Sequence, residues 1–207
     1  FRNWYVLNSD NLEIIHQGKL PNFTNCIQIS TDGKYISYVN LYTFQMRVLE
    51  LIGNSYVESF VSENHKGQVI NMQFSLNSKN LLNASHDGKA RVYDLLKKKL
   101  KYSPLSYGFF YAAPLGFSPD CKVFATATGI GVDAVRPVIW DVETGEIKHE
   151  LSHFSGVMDM MFTPDSKKLI TGSRDKTAKI WDVESGNAIQ TLNVDDWAAG
   201  VGINPKD

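Results

Sequence analysis

A repeat of about 40–45 residues runs through nearly all of this 207-residue chain and limits the folds that it can adopt. Each copy has an apolar residue that ends a short first strand, in most copies directly before a turn of the type Ser/Thr-x-Asp/Asn-x-Lys. These first-strand markers are Ile29, Phe74, Phe117, Phe162 and Ile203. One repeat is one supersecondary unit that buries its apolar face against its neighbours. The repeat therefore predicts a stacked or closed array.

The segments between the markers have the pattern of antiparallel strands. A second marker closes the third strand of each copy: Leu49, Tyr93, Trp140 and Trp181. The segments are short, alternate apolar with polar or small residues, and are bounded by turn residues such as Asp87-Gly88 and Ser185-Gly186. Examples are Val69–Phe74, Leu81–Ala84, Ala90–Tyr93 and Ala188–Leu192. No window shows a sustained helical period, so we predict four short strands per repeat.

On these features the chain resembles the WD40-repeat family. The period, the four strands and the Trp-Asp pairs that begin at Trp140 and Trp181 carry the resemblance, and residues 153–192 carry it most specifically. It covers nearly the whole chain. The resemblance implies an all-β fold, a WD40-type β-propeller of four-stranded antiparallel blades.

The repeat positions predict about four complete blades and a partial blade at each end of one propeller region, 1–207. The expected segments are 1–17 (end of a preceding blade, with strands Trp4–Asn8 and Leu12–Gln17), 18–62, 63–107, 108–152 and 153–192 (blades), and 193–207 (first strand of a following blade, Trp197–Ile203). A stand-alone seven-bladed propeller needs about 300 residues at this period. We therefore expect the chain to be part of a longer protein and a larger propeller.

Composition narrows the classes of function. The net charge of −1 gives no strong field for nucleic acid or an anionic membrane, and no apolar run is long enough for a membrane span. Cys26 and Cys121 are too few for a disulfide framework, so we expect an intracellular protein of the cytoplasm or nucleus. The five histidines and two cysteines lack metal-ligand spacing. We expect no metal and no cofactor.

Two repeats contain His, Ser, Asp and an aromatic residue at identical offsets from their markers. The sets are His65, Ser85, Asp87 and Tyr93, and His153, Ser173, Asp175 and Trp181. A His, a Ser and an Asp could form a hydrolase triad. The resemblance instead implies a structural hydrogen-bonded tetrad, in which Asp holds one imidazole nitrogen and Ser meets the other. We predict the structural role, because a catalytic triad would not recur at the same repeat offsets.

Function is expected at exposed loops that depart from the regular blade. The candidates for partner contact lie in the loops between second and third strands or six residues before a first-strand marker: Tyr42, Phe44, His86, Tyr111, Val132, Asp133, Arg136, Arg174 and Trp197. Tyr and Arg are enriched at binding hot spots. For the residues six before a marker, packing between blades is the alternative role.

Three classes of function follow. The first is a non-catalytic protein-interaction scaffold, a WD40 subunit that binds a peptide or partner protein across the loop-rich face, within a multi-subunit complex. The second is a regulatory or sensor WD40 array in a larger multidomain signalling protein. The third, a propeller enzyme, would need convergent titratable residues at the channel mouth, and the sequence offers no such cluster. Nucleic acid and membrane are not expected as direct ligands.

Overall fold

A computed structural model describes residues 2–63, 65–103, 115–127 and 137–204, and the regular elements in these ranges are all β-strands. The first two strands form a two-stranded antiparallel sheet: β1 (Arg2–Leu7) and β2 (Ile14–Leu20). The other strands form four antiparallel sheets, each with four strands in chain order. The predicted all-β fold of four-stranded blades is confirmed.

We name the four sheets as blades in chain order. The first blade contains β3 (Thr24–Ile29), β4 (Tyr35–Asn40), β5 (Met46–Ile52) and β6 (Ser55–Val61). The second contains β7 (Val69–Phe74), β8 (Asn80–Ser85), β9 (Ala90–Asp94) and β10 (Lys99–Tyr102). The third contains β11 (Leu115–Phe117), β12 (Val123–Thr126), β13 (Val138–Asp141) and β14 (Ile147–Glu150). The fourth contains β15 (Val157–Phe162), β16 (Lys168–Ser173), β17 (Thr177–Asp182) and β18 (Ala188–Asn193).

The two sequence markers occupy the same row of cross-strand pairs in every blade. In the fourth blade Phe162 pairs with Leu169, which pairs in turn with Trp181. The corresponding rows are Ile29–Ile36–Leu49, Phe74–Leu81–Tyr93 and Phe117–Phe124–Trp140. Register in a sheet decides which face each side chain occupies. Positions compared between blades through these markers are therefore structurally equivalent.

The turn between first and second strands is built the same way in each blade. In the first blade the Ser30 hydroxyl donates to the Asp32 carboxylate at 2.6 Å, and that carboxylate accepts the Lys34 backbone N–H at 3.0 Å. The same pair of bonds closes the other three turns, with Asn77 in place of Asp in the second blade. Side chains that bond to nearby backbone stabilise such turns. The Ser/Thr-x-Asp/Asn-x-Lys pattern thus has a local physical cause.

The core lies between the blades. The first strands of consecutive blades are neighbours, β3 beside β7, β7 beside β11 and β11 beside β15. Strand β8 shows how one strand serves two interfaces: Leu81 packs in the cluster shared with the first blade, and Leu82 packs in the cluster shared with the later blades. Both side chains are fully buried. A strand covered on both faces needs no polar alternation, which explains why the adjacent residues Leu81 and Leu82 are both apolar.

Two ring side chains, Tyr102 and His149, connect the second blade to the third and the third blade to the fourth. Tyr102 of β10 lies over Gly145 in the third blade and donates its hydroxyl to the Val142 carbonyl at 2.7 Å. His149 of β14 lies over Gly186 in the fourth blade in the same way, with Nε2 2.8 Å from the Glu184 carbonyl. Both glycines have positive φ, 74° and 72°.

The two ends differ from the sequence prediction. Strand β2 continues to Leu20, past the boundary placed at residue 17. Residues 194–204, predicted to contain a first strand at Trp197–Ile203, contain no strand. This segment crosses the fourth blade instead: the Ala198 N–H donates to the Ser173 carbonyl at 3.0 Å, and its carbonyl lies close against Gly172. A strand requires a continuous hydrogen-bonded neighbour, and these isolated contacts do not supply one.

Candidate interaction face

The fourth blade contains a buried hydrogen-bond network around His153. Its Nδ1 lies 2.8 Å from the Asp175 carboxylate, and its Nε2 lies 2.7 Å from the Thr171 hydroxyl. The Trp181 indole N–H donates to the same hydroxyl at 2.8 Å. Since Thr171 accepts from Trp181, its own O–H is free to donate to Nε2. The neutral ring therefore carries its proton on Nδ1 and donates it to Asp175.

The hydroxyl partner of the imidazole is Thr171 and not the predicted Ser173. Ser173 donates to the Ser155 carbonyl at 3.0 Å and accepts the Asp175 N–H at 3.1 Å, so it braces the turn beside the network. In the second blade Ser85 likewise donates to a backbone carbonyl, that of Gly67, and not to the ring. The prediction failed because residues two apart on a strand share one face, and both positions carry polar side chains.

In the second blade the network is modified by an arginine. His65 Nδ1 lies 3.1 Å from the Asp87 carboxylate, and Nε2 lies 3.1 Å from the Asn83 side-chain oxygen. Arg91 donates to Asp87 at 3.0 Å and also contacts His65 Nδ1. Nδ1 therefore has both an acceptor, the Asp87 carboxylate, and a donor, the Arg91 guanidinium, as neighbours.

The titration of these groups follows from burial. Burial and the Arg91 charge lower the pKa of His65 to about 4, although Asp87 acts in the opposite direction. Burial also lowers the pKa of His153. Burial alone would raise the pKa of Asp175, but hydrogen bonds from Thr177, the Phe154 N–H and His153 lower it to about 2. Both histidines are therefore neutral at neutral pH.

The other two blades keep only part of this network. In the third blade the Trp140 indole N–H donates to Thr126 at 2.9 Å, which is the Trp181–Thr171 bond without a histidine. In the first blade Leu49 occupies the row of Trp181 and has no side-chain donor. The network is therefore graded among the described residues: in the fourth blade it joins His153, Asp175, Thr171 and Trp181, and the other blades keep less of it.

The predicted contact positions that the structure describes lie at one end of the blades. Backbone hydrogen bonds join the loop after the second strand to the entry of the first strand, with lengths of 2.8–2.9 Å. The bonded pairs are Leu41 to Phe23, His86 to Gln68 and Arg174 to Gly156. We call the surface formed by these two sets of loops the loop face. His86 and Arg174 are half-buried there.

An aromatic pair occupies the loop face of the first blade. The rings of Phe23 and Tyr42 have centroids 4.3 Å apart and are tilted by 58°. Tyr42 is 68% exposed and Phe23 is 49% exposed. Phe44, in the same loop, has a φ of 54°, a left-handed conformation that is strained for a bulky residue. Exposed aromatics on a strained loop are typical of contact surfaces.

A second pair lies beyond the fourth blade. The Arg174 guanidinium carbon is 4.4 Å from the centre of the Trp197 ring, and Trp197 is 53% exposed. Two candidates predicted from different loops are thus in contact. Phe154 is a residue that the sequence argument missed, and it is 92% exposed, 5.8 Å from the Lys179 ammonium. A comparison of the repeats could have identified Phe154, because the corresponding position of the second blade is the charged residue Lys66.

Four predicted contact residues lie outside the described residues: Tyr111, Val132, Asp133 and Arg136. Among the residues that the structure does describe, no group of His, Cys, Asp and Glu could hold a metal ion. The same part of the chain has no helix of the length and hydropathy that a membrane span requires.

Comparison with known proteins finds WD repeats. The model of the WD domain, G-beta repeat (WD40) matches residues 56–94 and 145–182. The chain is 35% identical over 118 residues to WD repeat-containing protein 1 of Gallus gallus, covering 55% of this chain and 19% of that protein. It is 26% identical over 160 residues to Periodic tryptophan protein 2 of Arabidopsis thaliana, covering 77% of this chain and 17% of that protein. The chain thus spans about a fifth of the length of these relatives, and the predicted WD40 resemblance is confirmed.

Proposed function

Because the chain carries WD40 repeats, we propose that it works as a non-catalytic protein-interaction scaffold that binds a peptide or partner protein across the loop face. The observation that carries the proposal is the exposure of Tyr42 and Trp197 at the same end of the blades, with Arg174 in contact with the Trp197 ring. Tyr, Trp and Arg are enriched at binding hot spots.

The tetrads support a non-catalytic role. A serine nucleophile must contact its base, yet Ser85 and Ser173 are fully buried and donate to backbone carbonyls. The two imidazoles have fully buried side chains and are held on both nitrogens by groups of their own blade. Such groups fix the blade and leave nothing to reach a substrate.

The basic run at residues 97–101 supports a protein rather than a nucleic-acid partner. Lys98 lies 3.0 Å from Glu50 of the first blade, and Lys101 lies 3.2 Å from Glu143 of the third blade. Lys97 lies 3.5 Å from Asp94. Lysines that are paired in this way join blades and offer less charge for phosphate contacts.

A selection from a displayed random peptide library tests the proposal. We expect the chain to select peptides that bind Tyr42→Ala and Arg174→Ala less tightly than wild type, with melting temperatures close to that of wild type. Leu96→Ala is the matched control, because Leu96 is 67% exposed but lies in the third-to-fourth-strand turn at the opposite end. Equal binding by all four proteins would place the contact surface elsewhere.

A further inference from the structure

Arg174 is held in one orientation from several sides. Its backbone N–H donates to the Gly156 carbonyl at 2.9 Å, and its Nε donates to the Met158 sulfur at 3.1 Å. Its guanidinium lies over the Trp197 ring, with the central carbon 4.4 Å from the ring centre. A side chain held in this way loses little conformational entropy when it binds a ligand.

The charge of Arg174 has no counter-ion among the described residues. No carboxylate there lies within ion-pair distance of its guanidinium, whereas Arg47 is paired with Glu58 and Arg91 with Asp87. The carboxylates of neighbouring segments are engaged by backbone N–H groups: Asp159 by Val201, Asp175 by Phe154 and Asp196 by Trp197. Among the three arginines whose side chains the structure describes, Arg174 is therefore the one without a paired carboxylate.

The unused N–H donors of the Arg174 guanidinium favour an anionic ligand. A guanidinium has five N–H donors, and the one bond to a sulfur atom uses the weakest kind of acceptor. Stacking on an indole stabilises the cation without neutralising it. The free edge of the fork matches the two oxygens of a carboxylate, which accept two parallel hydrogen bonds. Trp197 keeps half of its surface open beside this edge.

We infer that Arg174 receives the carboxylate of an Asp or Glu side chain in the bound peptide, while Trp197 packs against the neighbouring part of that peptide. This inference rests on the proposed function, since it specifies the chemistry of the partner at the loop face. Arg174 thus determines which peptides bind, in addition to contributing contact area.

The test begins with peptides selected from the random library by the wild-type chain. We expect them to share an Asp or Glu at one position. Changing that residue to Asn or Gln in a synthetic peptide should weaken binding to wild type by about tenfold, measured by fluorescence anisotropy. The same change should have no effect on binding to Arg174→Gln, because the contact is already lost. Arg174→Lys should bind with intermediate affinity, since it keeps the charge but not the fork.

Arg47→Gln is the matched control, because it removes the same charge from an arginine that is already paired. Its affinity for the peptide should equal that of wild type. Selected peptides that need Tyr42 but share no acidic residue would overturn the inference and leave the scaffold function standing. Failure to select any peptide would count against both. A phosphoserine peptide that binds more tightly than the carboxylate peptide would overturn the assignment of a carboxylate.

Discussion

The indole nitrogen of Trp181 donates a 2.8 Å hydrogen bond to the hydroxyl of Thr171, which also meets His153. One hydroxyl thus serves two buried rings that come from different segments of the fourth blade. Thr171 has no exposed surface, so neither ring can replace the bond with water. The buried side-chain bond between the second and third strands of this blade thus comes from a residue that the tetrad pattern did not include.

The first prediction concerns this hydroxyl. Thr171→Val keeps the shape but leaves the Trp181 N–H and His153 Nε2 without a partner, so the free energy of unfolding should fall by about 1–3 kcal/mol. Thr126→Val is the control, because Trp140 is the one side-chain partner of the Thr126 hydroxyl among the described residues. Its loss should be smaller. Urea unfolding of both variants measures the difference, and equal losses would mean that the imidazole bond contributes nothing.

The error over Thr171 and the success with the blades have different physical origins. The markers were found because a repeat samples the same register several times, and cross-strand pairing then placed Phe162, Leu169 and Trp181 in one row. The hydroxyl was missed because a strand brings Thr171 and Ser173 to the same face, and only distances tell which one reaches the ring.

On the loop face, too, the sequence predicted the positions of residues but not the contacts between them. Sequence spacing placed Arg174 and Trp197 at equivalent ends of successive repeats, but it could not predict their contact. That contact depends on residues 194–204 crossing the fourth blade instead of forming a strand. Likewise, Phe23 lies six residues before the marker Ile29 and Tyr42 lies in the loop after the second strand, and the 4.3 Å between their ring centroids comes from the fold.

The second prediction concerns acid sensitivity. The pKa of His65 is lowered in the folded chain to about 4 from an ordinary value of 6.5. The unfolded chain therefore binds a proton in this range that the folded chain does not, so the stability from His65 is complete above about pH 6.5 and is lost as the pH falls toward 4. Urea unfolding across pH 4–7 should show this decline, and His65→Gln should make it shallower, because the buried His153, whose pKa is also lowered, still contributes.

Arg91→Gln provides the matching control for this titration. Without the Arg91 charge the pKa of His65 should rise, and the decline should begin and end over a narrower pH range. The imidazole signals in an NMR titration report the pKa directly. An unchanged pKa in this variant would show that burial alone sets it.

The third prediction concerns the joint between the third and fourth blades. A Cβ at Gly186 would lie 2.5 Å from the His149 ring, and φ is 72°, so Gly186→Ala should destabilise the chain through both contact and strain. Gly53 has a φ of 60° with open space around it, so Gly53→Ala should cost only about 1–2 kcal/mol from strain. The melting temperatures of the Gly186→Ala and Gly53→Ala proteins measure the difference.

Adding His149→Ala isolates the contact. If the ring is the obstacle, Gly186→Ala should be milder in the His149→Ala background than in wild type. The same cost in both backgrounds would attribute the whole effect to φ.

The last prediction separates stability from binding at Phe44. Its φ of 54° is costly for a bulky side chain, so Phe44→Gly should raise the free energy of unfolding by about 1 kcal/mol. If Phe44 is also a contact residue, the same change should weaken the binding of library-selected peptides.

Lys176→Gly is the control, because Lys176 has a φ of 63° in the corresponding loop of the fourth blade but is not a predicted contact residue. It should gain stability and keep its affinity. A Phe44→Gly protein that gains stability and binds as tightly as wild type would remove Phe44 from the contact surface, because its strain would then serve only the turn.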